Sequence, residues 1–122
     1  SAVQLGTAFL TCEESGTNPI HQKTILESFE DSTVVTKVFS GKPARGIHNY
    51  FIEQMNDYED VIPAYPFQNA LTSALRKEAG KQKNIRFMSL WAGQGARLSK
   101  EISASDLIDE IVRDYEGLVT KK

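Results

Sequence analysis

Nine residues, Ala2-Val3-Gln4-Leu5-Gly6-Thr7-Ala8-Phe9-Leu10, are almost all apolar and show no polar alternation of the kind a strand with one wet face carries. A short continuous apolar run of this kind suits a strand covered on both faces, as in parallel sheets. The backbone groups of such a strand bond only to neighbouring strands, so it cannot stand alone. Few neighbours are on offer. Thr33-Val34-Val35-Thr36-Lys37-Val38-Phe39 is rich in β-branched residues and reads as a second extended segment. Arg86 to Trp91 is a marginal third. The expectation is one buried parallel strand whose companions lie outside this sequence.

Helices dominate the remainder. Asn18 stands in an N-cap position with Pro19 at the first helical residue, where a missing N–H costs nothing. Ile20, Ile25, Leu26 and Phe29 extend that helix to about residue 29. A second helix is expected from Ile47 to Tyr58. A third starts at Pro66, with Phe67, Ala70, Leu71, Ala74 and Leu75 at the 3.6-residue period and Gly80 as a stop. Ser103 with Asp106 resembles a capping box ahead of the stripe Leu107, Ile108, Ile111, Val112, Tyr115, Leu118 and Val119. Lys121-Lys122 would suit the negative end of that last helix.

Composition narrows the function classes. At 122 residues, with 40% hydrophobic and 25% charged residues, the chain is in the range of one ordinary globular domain. Its net charge of -2 provides no basic field for nucleic acid. No apolar run approaches the roughly 18 residues of a membrane span, and the opening run has no signal-peptide pattern. Cys12 is the single cysteine, which excludes an intrachain disulfide and cysteine-rich zinc sites and fits a reducing cytoplasm. The only histidines, His21 and His48, have no Ser, Cys or carboxylate at informative spacing, so neither a triad nor a metal site is expected.

Three stretches could carry chemistry. In Gln4-Leu5-Gly6-Thr7, glycine allows close approach of an anion, and the Thr7 N–H and hydroxyl can donate to phosphate oxygens. The same pair also reads as a tight bend that ends a strand, and the residues alone favour that plainer reading. Ser40-Gly41-Lys42-Pro43-Ala44-Arg45-Gly46 could clamp an anion or be a solvated turn. Ala92-Gly93-Gln94-Gly95 begins like a dinucleotide fingerprint, but Leu98 stands where the third glycine belongs. Close approach of Gly93 and Gln94 to a flat ring system remains open, and Tyr65 and Trp91 flank flexible backbone as pocket-lining or core residues.

Taken together, AVQLGTAFLTCEESG, FSGKPARG, YPFQNALT and SLWAGQG, in this order and at this spacing, resemble the nitronate monooxygenases. The resemblance covers essentially the whole chain. It implies an α/β fold: the C-terminal part of a TIM (β/α)8 barrel flavoprotein, mostly helical with one buried parallel strand, since a complete barrel takes about 250 residues. Within it, residues 1–30 would be the last barrel strand and following helix, 31–98 a substrate-side segment, and 99–122 the closing helix. The resemblance implies an FMN cofactor, with Gln4, Leu5, Gly6 and Thr7 at its phosphate. Tyr65, Gly93 and Gln94 would lie near the flavin and the substrate.

The implied reaction is oxidation of alkyl nitronates by O2 to a carbonyl compound and nitrite, in the cytoplasm, with the remainder of the barrel as partner. The family's base histidine belongs to a motif that neither His21 nor His48 matches. Two other readings stand beside this one: a flavin-dependent enoyl reductase, and an autonomous helical interaction module without enzymatic activity.

Overall fold

Asn18-Pro19 starts a helix, as its chemistry predicts, in the computed structural model, which describes residues 2–120. The Asn18 side chain accepts from the Ile20 N–H at 3.1 Å, and Pro19 takes the first helical position. That helix is the second of five among the described residues: α1 (Thr7–Leu10), α2 (Pro19–Leu26), α3 (Tyr50–Met55), α4 (Phe67–Gln82) and α5 (Ala104–Thr120). Strands β1 (Thr33–Thr36) and β2 (Ala44–Ile47) pair antiparallel, Thr33 opposite Ile47 and Thr36 opposite Ala44. Short 3-10 turns occupy Asn56–Val61 and Ala96–Leu98.

The buried parallel strand expected over residues 2–10 is absent. Ala2 to Leu5 have no regular secondary structure and are exposed, Val3 by 82%. At Gly6 the chain turns helical, the Phe9 N–H donating to the Gly6 carbonyl at 3.0 Å. A strand is held only by an adjacent strand, and among the described residues none runs beside this segment. A short apolar run carries no period that separates a strand from a helical turn.

β1 lies within the segment expected to be extended, whereas β2 forms where turn chemistry was expected. Ala44-Arg45-Gly46 supplies most of β2, and the loop from Leu90 to Ala92 extends its pairing: Ile47 N–H donates to Leu90 O at 2.8 Å and Ala92 N–H to Arg45 O at 3.2 Å. The two basic residues of this stretch serve the fold. Arg45 reaches the Thr33 hydroxyl at 3.2 Å, and the Lys42 ammonium lies 4.8 Å from the centre of the Tyr65 ring.

Ile47 therefore belongs to a strand. The helix expected to begin there starts at Tyr50, capped by Asn49, whose side-chain oxygen accepts from Ile52 N–H at 3.2 Å. Gly80 does not stop α4, which ends two residues later at Gln82, with Lys83 following in the left-handed region, φ 54°. Ser103 caps α5, its hydroxyl accepting from Asp106 N–H at 3.1 Å. The expected closing pair Lys121-Lys122 lies outside the described residues.

The apolar stripe of α4 points outward, with Phe67 and Leu71 each 69% exposed, while Gln68, Thr72 and Ala79 are buried. The Gln68 amide donates to Val38 O at 2.7 Å, and the Thr72 hydroxyl donates to Phe39 O at 2.5 Å. Those bonds fasten α4 to the segment after β1, where Val38, Phe39 and Ile52 form one apolar cluster. The larger cluster joins Ile25 of α2, Ile47 of β2, Ala79 of α4 and the run Met88, Leu90, Ala92, Ala96.

Substituting Gln68 by alanine would leave the Val38 carbonyl buried and without its donor. The expected loss is about 1–3 kcal/mol, read as a lower urea midpoint of the full-length protein. An unchanged midpoint would show that the bond is dispensable.

Candidate functional site

Between α1 and the loop after Trp91 lies an open cleft of about 400 Å³, lined by Gln4, Leu5, Gly6, Thr7, Ala8, Gly93, Gly95, Leu98 and Ser99. All four residues expected at a phosphate are on its wall. Gly93 faces them from the other side, and one bond joins the two walls: Gly93 N–H donates to Thr7 Oγ1 at 2.9 Å. Accepting that bond leaves the Thr7 hydroxyl hydrogen free to serve as a donor.

Gly6 is the N-cap of α1, with φ -114° and ψ -59°, a conformation open to any residue, and no heavy atom lies within 4 Å of where its Cβ would stand. No side chain caps this helix start, and the first N–H groups of a helix have no acceptor within it. A tight bend therefore does not account for the glycine.

Gln94 is exposed beside this cleft and is not part of its lining. Tyr65 is not brought to it either. Its loop packs on Gly41, and the Lys42 ammonium lies over its ring. The sequence carried no signal for Leu98 or Ser99, which reach the cleft through the 3-10 turn Ala96–Leu98.

Behind the cleft stands α2. Its His21 is half-buried, with Nε2 3.1 Å from the Trp91 carbonyl oxygen. A carbonyl only accepts, so Nε2 carries the proton. Burial pushes this imidazole below its ordinary value of 6.5, against a smaller upward pull from the Trp91 carbonyl. The folded state thus favours the neutral ring. Its stabilising contribution is complete above pH 6.5 and is lost as pH falls through the lowered value. Melting temperatures below pH 6.5 should therefore decline more steeply in the natural protein than in His21→Gln; parallel curves would refute this.

His48 does have a carboxylate neighbour, Glu53 of α3 at 2.9 Å, but the pair is exposed, at 43% and 66%. It borders a second concavity of about 260 Å³ with Val34, Ile52 and Glu59. Among the described residues no group of three His, Cys, Asp or Glu side chains is placed to hold a metal ion. No helix among them is long and apolar enough to cross a membrane.

This shape recurs among solved structures. A nitroalkane oxidase from Streptomyces ansochromogenes superposes with a TM-score of 0.91 at 38% identity, covering 98% of this chain and 34% of that one. FabK from Thermotoga maritima gives 0.79 at 28% identity, covering 99% of this chain and 39% of that one. The chain fits as one part of the TIM-barrel flavoenzyme fold.

Residues 1–114 match the nitronate monooxygenase family model, and the chain belongs to that family. A probable nitronate monooxygenase of Staphylococcus saprophyticus is 50% identical over 119 residues, which are 98% of this chain and 34% of that protein. One from Bacillus subtilis is 47% identical over 113 residues, 92% of this chain and 33% of that protein. The chain spans about a third of the length of these curated relatives.

Proposed function

We propose that this chain is part of an FMN-dependent enzyme that oxidises alkyl nitronates with O2 to a carbonyl compound and nitrite, and that Gln4 to Thr7 hold the FMN phosphate. The supporting observation is the cleft itself, where an unhindered glycine and a threonine hydroxyl face Gly93 across a single hydrogen bond. These residues fit a phosphate: open space over Gly6, and a hydroxyl with one hydrogen to donate. Family membership and the likeness to a nitroalkane oxidase support the chemistry.

When bound, the flavin supplies the electron chemistry, and the protein supplies orientation and electrostatics. In this chain, Gly6 keeps the cleft wall low, Thr7 donates to the anionic group, and the Thr7–Gly93 bond fixes the distance between the walls. The rest of the barrel, carrying the base, is the partner this reading requires, and a cytoplasmic setting goes with it.

The test is the full-length protein. A bound flavin spectrum, and nitrite released from an alkyl nitronate under air, are expected. NAD(P)H-driven enoyl reduction without nitrite would favour a flavin-dependent enoyl reductase instead. The FabK likeness is at lower identity and TM-score than that to the nitroalkane oxidase. An autonomous interaction module has the family match against it.

A further inference from the structure

We propose that His21 is a positioning residue that sets the width of the cleft by holding the Trp91–Gly93 segment at a fixed distance from α1. Adjacent residues of α2 reach the two walls: His21 Nε2 donates to Trp91 O at 3.1 Å, and the Gln22 amide donates to Leu10 O, the last residue of α1, at 2.9 Å. The same helix is thus tied to both sides of the opening. It is itself anchored, because the Asn18 amide donates to Gly80 O of α4 at 2.9 Å.

On its other side, the segment is held by main chain, with Ala92 N–H donating to Arg45 O at 3.2 Å, and by the Trp91 ring, which meets Phe39 edge-on at 5.6 Å. Between the His21 bond at Trp91 and the Thr7 bond at Gly93, the backbone has little freedom. Ala92, midway, is 5% exposed and lies in the larger apolar cluster with Ile25 of α2. Without the imidazole donor, the Trp91 carbonyl loses its tie to α2, and Gly93 can drift from Thr7.

The consequence for FMN rests on the flavin reading above, so two readouts are needed in the full-length protein. One is FMN affinity, by titration of the apoprotein. The other is hydrogen exchange at Ala92 to Gly95, which does not depend on any cofactor. His21→Ala should weaken FMN binding about three- to tenfold, the worth of one hydrogen bond, and speed exchange at Gly93. His21→Gln, which keeps an N–H donor, should restore much of both.

If the alanine variant does not fold, His21→Phe retains the ring volume without the donor and makes the same comparison. Affinity and Gly93 exchange both unchanged, in a protein that binds FMN, would overturn the role of His21. Should the natural protein bind no FMN, the flavin reading fails, and the exchange result alone decides whether His21 holds the segment.

Discussion

Gly41→Ala is expected to cost the full-length protein about 3 kcal/mol or more. Gly41 sits at φ 89°, where side chains are strained, and its Cβ would stand 2.5 Å from Tyr65 N, 2.7 Å from Pro63 O and 2.8 Å from the Ala64 carbonyl carbon. All three are main-chain atoms, which cannot rotate aside as a flexible side chain would. The loop of residues 62–66 would have to move, with Lys42 losing the Tyr65 ring and α4 losing its entry. Urea unfolding measures the loss. Gly41→Asn separates the two causes, because asparagine tolerates positive φ but brings the same Cβ. If asparagine matches glycine, the close approach is not the reason.

The second large effect is on cofactor content. Gly6→Val should leave the melting temperature nearly unchanged, since nothing in this chain lies within 4 Å of the new Cβ and φ is ordinary. Its branched side chain would instead occupy the opening next to Thr7. Flavin retained through purification should fall well below one per protein, with affinity reduced about ten- to hundredfold, as overpacking of a filled site implies. A folded variant with full flavin would remove Gly6 from the phosphate site. Thr7→Ala is the milder companion, losing one hydroxyl but adding no bulk.

What could be read from the sequence was local. Asn18-Pro19 and Ser103 each start a helix through their own hydrogen-bonding chemistry, and both do so here. Much of what depended on a neighbour was misjudged or missed, although the β-branched run from Thr33 does form β1. The run Ala2 to Leu10 implied a strand only if flanked by strands. Arg45-Gly46 looked like a turn because its partners, Thr33 on one side and Leu90 on the other, are far off in the chain. Period located the apolar stripe of α4 correctly but could not say which side would be covered. Gln68 and Thr72 settled the direction by finding carbonyls. At the site, Gly6, Thr7 and Gly93 were singled out separately, by residue type and resemblance. The bond joining Thr7 to Gly93, across 86 residues, left no trace in local pattern.

The outward faces of α4 and α5 also bear on how variants of this protein should be interpreted. Leu71, Tyr115 and Leu118 are between 66% and 69% exposed, so a tolerance map drawn from this chain's own contacts would mark them as harmless to change. A row of exposed apolar side chains along a helix tends to be an interaction surface. Wherever another surface closes over it, these positions will behave as interior ones, and a polar replacement there will act at a distance, on assembly, before it disturbs anything nearby.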